Sequence, residues 1–266
     1  MPLNGIYPRE RFPKCIVIKP LQGVVLNAVG LSGPGARALL DSGMYRKHRA
    51  PFALSFMAVG ATPQARALEY RTYAKLLDSY KTSFGASFAL TLNFTCPNTG
   101  HDLSTLANEC KDALTIFDKL RIPLIAKFNL LTPMVLLRDV AALPMVDALC
   151  MTNSIPWGTL EDKIPWAALF GSLESPLAHY GGGGLSGAPL FPLVRDWVVS
   201  ARQAGIMKPI IACGGILTPE NATELLSVGA SAVEIGSAAI LRPWRVADII
   251  AAVHEYRSVS NGPFLY

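Results

Sequence analysis

The chain has 266 residues, 51% hydrophobic and only 16% charged, with a formal net charge of +5. That composition excludes a disordered or low-complexity chain and supplies enough apolar surface for one large core. The mild basicity comes without a dense Lys/Arg run interleaved with aromatics, so it points away from nucleic acid and toward a small anionic ligand.

The N-terminus, Met1-Pro2-Leu3-Asn4-Gly5, has no apolar segment of the signal-peptide kind, and no uninterrupted apolar stretch is long enough to span a bilayer. Five cysteines, Cys15, Cys96, Cys110, Cys150 and Cys213, are widely spaced and include no CxxC pair. This argues against zinc or iron–sulfur ligation within the chain and for a reducing compartment, hence the cytoplasm. Cys150 and Cys213 sit in apolar runs and read as small core residues.

Apolar, β-branched runs then recur in chain order: Cys15–Lys19, Val24–Val29, Phe52–Met57, Phe88–Asn93, Leu124–Phe128, Ala148–Thr152, Ile210–Cys213 and Ala232–Ile235. Most are continuously hydrophobic, as parallel strands buried on both faces are. Between them lie helix-like segments. Thr62-Pro63, Thr132-Pro133 and Thr218-Pro219 each set a capping hydroxyl before a proline at the first helical position. Leu193, Val194, Trp197, Val198 and Ala201 recur at helical spacing before a stop at Gly205. Alternating strands and helices predict an α/β fold, a parallel (β/α)8 TIM barrel forming a single domain over residues 1–266. The first two runs are separated only by Pro20-Leu21-Gln22-Gly23, which leaves no room for a helix. The N-terminal unit is therefore incomplete or irregular: either an early hairpin, or a missing βα unit. Tyr45-Arg46-Lys47-His48-Arg49 reads as a solvated basic loop.

In barrels of this kind the C-terminal strand ends carry function. Here those ends are polar. Asn27 ends one run, Asn93 with Cys96 and Asn98 another, Lys127 a third, and Asn153 with Ser154 a fourth. Gly214-Gly215 and Gly236-Ser237 close the last two, where backbone N–H groups approach a phosphate because side chains are absent. Gly183-Gly184 adds a third lip. Lys127 is either a cation facing an electron-rich cofactor or a lysine snorkelling at the barrel rim. The four amides offer donors and acceptors together, which suits a planar heterocycle with alternating C=O and N–H groups. Cys96 is the candidate acid–base group.

Asn27-Ala28-Val29-Gly30-Leu31 with Pro34-Gly35, Asn93-Phe94-Thr95-Cys96-Pro97-Asn98, and Gly183-Gly184-Leu185-Ser186-Gly187 with Pro189-Leu190 resemble, in this order, the motifs of dihydroorotate dehydrogenases. The resemblance covers most of the chain after about residue 24. It implies an FMN-dependent oxidoreductase of pyrimidine biosynthesis that oxidises dihydroorotate, or a close dihydropyrimidine, to orotate. It assigns the phosphate of FMN to Gly184, Gly214, Gly215, Gly236 and Ser237, and the flavin ring to Lys127. The pyrimidine falls to Asn27, Asn93, Asn98, Asn153 and Ser154, with Gly30 and Leu31 nearby, and the proton to Cys96. Cysteine as base marks the family's soluble class, whereas Thr99-Gly100-His101-Asp102-Leu103 leans toward its serine-type members. Lys19 is the preferred counterpart of the lysine on the family's second barrel strand. Alternatively, Val25 to Gly30 mimics the first-strand segment. A homodimer is implied; the electron acceptor is left open. The rival readings are a flavin-free phosphate-binding isomerase or lyase, and a shortened, noncatalytic relative.

Overall fold

The structure, a computed structural model, describes residues 1–6, 14–95 and 103–260. Its strands in chain order are β1 (Asn4–Ile6), β2 (Ile16–Lys19), β3 (Val24–Asn27), β4 (Gly33–Gly35), β5 (Phe52–Phe56), β6 (Phe88–Asn93), β7 (Leu124–Phe128), β8 (Ala148–Met151), β9 (Ile155–Pro156), β10 (Gly184–Gly187), β11 (Ile210–Cys213) and β12 (Ala232–Glu234). The α-helices are α1 (Ala36–Asp41), α2 (Pro63–Tyr80), α3 (Leu103–Asp118), α4 (Met134–Ala141), α5 (Trp166–Phe170), α6 (Leu190–Gln203), α7 (Pro219–Ser227), α8 (Ser237–Leu241) and α9 (Val246–Ser260).

Six strands form one parallel sheet in the order β12-β11-β8-β7-β6-β5. Residues alternate between its faces. Leu54, Phe56, Leu90, Leu92, Phe128, Leu149, Met151, Ile210 and Ala212 pack outward in the main core with residues of α2, α3, α4, α6 and α7. The opposite face is built from smaller groups: Ile125, Ala148 and Cys150 cluster there with Ala89, Ile211 and Cys213. The sheet curls toward that face, and its outer edges, β5 and β12, pair with no further strand among the described residues. It is a barrel-type α/β fold in which, among the described residues, the early strands β2 and β3 lie outside the parallel sheet.

The two earliest apolar runs are not parallel strands. β2 and β3 make an antiparallel hairpin across Pro20–Gly23, and β3 pairs onward with β10 and β10 with β9. This four-stranded sheet sits over its own core of Val24, Leu26, Ile155, Ile164, Trp166, Leu177 and Leu185. β9 begins just after β8 ends, which sets the small sheet beside the C-terminal ends of the parallel strands.

Two of the three Thr-Pro pairs cap as their sequence suggests. Thr62 accepts from Ala65 N at 3.1 Å, and Thr218 from Asn221 N at 3.4 Å. The third does not: Thr132 is buried, α4 starts at Met134, and no side chain caps it. Its hydroxyl turns instead toward Asn129 Oδ1, 3.4 Å away. α6 buries Leu190, Val194, Trp197, Val198 and Ala201, and ends before Gly205, whose φ of 82° is the left-handed conformation expected of a helix stop. No described helix is long and apolar enough to cross a membrane.

Candidate functional site

The C-terminal ends of β6, β7, β8, β11 and β12 converge because neighbouring parallel strands finish in register: Asn93 pairs with Lys127, Lys127 with Cys150, and Cys213 with Glu234. Just beyond β8, the Asn153 amide donates to Asn93 Oδ1 at 2.7 Å and to the Thr95 carbonyl at 2.6 Å. Its own backbone N–H bonds Phe128 O at 2.9 Å, which fixes the amide over the strand ends. Thr152 is buried and ties the same segment on both sides. Its N–H reaches Cys213 O at 2.7 Å, and its hydroxyl accepts from Leu130 N at 3.1 Å.

A small cavity continues from this cluster. Thr152, Asn153, Ser154, Ser186, Cys213, Gly214, Gly215, Glu234, Gly236 and Ser237 line it. The glycines there differ in what they demand. Gly215 has φ 73°, and a Cβ on it would stand 2.5 Å from Phe191 N, so it is glycine for the packing of α6. A Cβ on Gly236 would meet nothing within 4 Å. The room beside Gly236 is cradle space, bordered by serine hydroxyls and backbone, a donor set suited to a phosphate.

Lys127 spans the inner face of the curl. Its Nζ donates to Glu234 Oε1 at 2.9 Å and Oε2 at 3.1 Å, although β8 and β11 lie between β7 and β12. The Cys150 thiol donates to Glu234 Oε2 at 3.2 Å. Burial works against the charge on Lys127, but the Glu234 carboxylate, hydrogen-bonded to it, holds the ammonium above its ordinary range. Burial also opposes the Glu234 charge, yet Lys127 keeps that carboxyl below its usual value. Burial pushes Cys150 well up and Cys213 to about 11, so both thiols are protonated near neutrality.

The site residues expected from sequence are thus brought together unevenly. Asn93 and Asn153 touch, and Ser154, Gly214, Gly215, Gly236 and Ser237 share the cavity with Asn153. Asn27 and Gly184 pair with each other in the small sheet, the Asn27 amide donating to Gly184 O at 3.4 Å, and neither lines the cavity. Ser186, two residues on, does line it. Gly30 and Leu31 follow β3 with φ of 73° and 60°. Lys19 pairs with Val24 in the antiparallel β2–β3 hairpin. Cys96 and Asn98 lie outside the described residues. Cys213 is not a plain core residue, because it lines the cavity. Sequence reasoning gave no individual role to Glu234, Thr152, Ser186 or Thr95. Glu234 carried a usable signal, a charge at the end of an apolar run, the same argument that singled out Lys127.

Comparison with known proteins places these features in one family. A model of the dihydroorotate dehydrogenase family matches residues 5–256. A "Dihydroorotate dehydrogenase B (NAD(+)), catalytic subunit" of Desulforudis audaxviator is 30% identical over 256 residues, covering 94% of this chain and 76% of the relative. One of the same name from Endomicrobium trichonymphae is 29% identical over 89% of this chain and 72% of its own length. A "Dihydroorotate dehydrogenase A (fumarate)" of Lactiplantibacillus plantarum is 28% identical over 86% and 71%. The fold is similar to the crystal structure of a ligand-free dihydroorotate dehydrogenase from Eimeria tenella. The TM-score is 0.71 at 21% identity, with 97% of this chain and 77% of that one covered.

Proposed function

Because the chain belongs to the dihydroorotate dehydrogenase family, we propose that it is an FMN-dependent oxidoreductase that converts dihydroorotate to orotate in pyrimidine biosynthesis. The observation that carries this reading is the meeting of Asn93, Thr95 and Asn153 at 2.6–2.7 Å on the rim of the glycine cavity. It sets a hydrogen-bonding amide cluster beside a phosphate-sized cradle, the two ends that a flavin mononucleotide and a flat pyrimidine need. Family membership disfavours the flavin-free isomerase or lyase.

The residues present fit FMN at the phosphate end. Backbone groups of Gly214, Gly215, Gly236 and Ser237, with the hydroxyls of Ser154 and Ser186, would hold the phosphate. Lys127 would face the ring. When bound, FMN supplies the hydride-accepting chemistry. The Asn93 Nδ2 donor and the Asn153 Oδ1 acceptor, which the bonds between the two amides do not use, would orient the pyrimidine through its C=O and N–H edge. Asn27 and Asn98 would extend that grip, with Gly30 and Leu31 nearby. Cys96 would take the proton from the ring carbon next to the one that loses hydride. Cys150 and Cys213 cannot share that role: burial keeps both thiols protonated.

The same proposal takes residues 1–266 as a single FMN-binding domain, active as a cytoplasmic homodimer, which light scattering of the purified protein tests. Reconstitution tests the cofactor and the substrate together. The protein incubated with FMN and desalted should release about one flavin per chain on denaturation, and orotate should perturb the bound flavin's visible band. A chain that retains no flavin, or whose flavin spectrum ignores orotate, is not this enzyme.

A further inference from the structure

The cavity that suits a phosphate contains one carboxylate, Glu234, and that carboxylate already holds the cation meant for the cofactor. The two partners are unequally placed. The Lys127 side chain is 12% exposed, whereas that of Glu234 is 49% exposed. A half-exposed carboxylate that lets go is taken up by water at little cost. A nearly buried ammonium that loses its partner needs another acceptor within reach. The arrangement observed is the one against Glu234; an acceptor that enters from the strand ends would offer Lys127 the other partner it needs. The Cys150 thiol helps hold Glu234 in the observed arrangement, at 3.2 Å from Oε2.

We infer that Glu234 competes with the cofactor for Lys127 and thereby sets how tightly this chain holds its flavin. Glu234 is a positioning residue in this role: it acts through Lys127. The inference rests on the flavin reading above. When FMN binds, Lys127 exchanges a carboxylate oxygen for an electron-rich atom of the ring, and the free chain is weakened for FMN by whatever the ion pair is worth. Glu234→Gln keeps the shape and a hydrogen-bond acceptor but removes the charge, so Lys127 is released more easily.

The test is a set of FMN dissociation constants, read by quenching of flavin fluorescence, for wild type, Glu234→Gln, Lys127→Met and the double variant. Glu234→Gln should bind FMN about tenfold more tightly than wild type, as expected for one unit charge acting through a partly screened site. Lys127→Met should bind more weakly. In the Lys127→Met background the gain from Glu234→Gln should fall to about threefold or less, because nothing is left to compete for. A gain of the same size without Lys127 would mean that Glu234 only repels the phosphate, and would overturn the competition. So would a Glu234→Gln affinity equal to or weaker than wild type. If none of the four proteins binds FMN, the flavin reading itself fails and the inference goes with it. Should Glu234→Gln melt well below wild type, Glu234→Ala replaces it in the same cycle.

Discussion

Removing the donor end of Asn153 should cost both stability and pyrimidine affinity, and the structure fixes the size of the first effect. The amide donates two short bonds, 2.7 Å to Asn93 Oδ1 and 2.6 Å to the Thr95 carbonyl. At about 0.5–1.5 kcal/mol net for each bond, Asn153→Ala should lose about 2 kcal/mol. For a chain of this size that lowers the melting temperature by about 4–8 °C. Asn153→Asp is the sharper probe. It is isosteric, but it turns the donor into an acceptor facing two acceptors. The introduced carboxyl is stable there only when protonated, so its folded-state pKa is raised above the unfolded value of about 3.9. A raised folded-state pKa gives stability that is fully present below the unfolded pKa and lost as pH rises through the folded one. Asn153→Asp should therefore lie closest to wild type at about pH 4 and fall progressively behind it toward pH 8. Thermal melts of the three proteins across that range are the assay. If both variants melt with wild type at every pH, Asn153 does not join β6 to β8 as described. If both are destabilised but orotate binds unchanged, the bonds are structural and the pyrimidine grip is misplaced.

Gly215→Ala and Gly236→Ala should separate packing from ligand space. The first forces a Cβ to 2.5 Å from Phe191 N at φ 73° and should cost about 1–3 kcal/mol by thermal melt. The second points into open space, so it should melt like wild type while FMN binding weakens. Arg66→Met should cost about 3–5 kcal/mol in denaturant unfolding, because it strands a buried Glu109 that now receives Arg66 bonds of 2.8 and 2.6 Å. The paired change Arg66→Met with Glu109→Leu should recover most of that loss. With its thiol pushed up to about 11, Cys213 should resist alkylation at pH 7 and label faster only as pH climbs toward 11, read by mass spectrometry. Rapid labelling at neutral pH would contradict the raised thiol pKa.

The parallel strands from Phe52 onward were legible because they are continuous apolar runs bounded by Pro, Gly and Thr, and the structure keeps them within a residue or two. The earliest runs misled for the same reason. Val24–Asn27 is buried throughout its first three positions, as a barrel strand would be, but its partners are the antiparallel β2 and β10. Apolar periodicity reports burial, not the direction of the neighbour. Only the four-residue link at Pro20–Gly23 signalled a hairpin, and Lys19 follows the hairpin. The glycine pairs marked the cavity correctly, yet for mixed reasons, since Gly215 serves helix packing and Gly236 the open space. Glu234 is easily passed over because it sits inside the otherwise apolar run Ala232–Ile235. That its side chain crosses two strands to Lys127 depends on the curl of the sheet, which no single run encodes. The Asn93–Asn153 contact likewise joins residues 60 positions apart.

Anaerobic titration of the FMN-loaded protein with dihydroorotate tests the proposed chemistry most directly. The visible flavin band should bleach in proportion to the dihydroorotate added, with orotate appearing in equal amount, and the Cys96→Ala protein should bleach far more slowly near neutral pH. A flavin that binds at the strand ends but stays oxidised in excess dihydroorotate would contradict it.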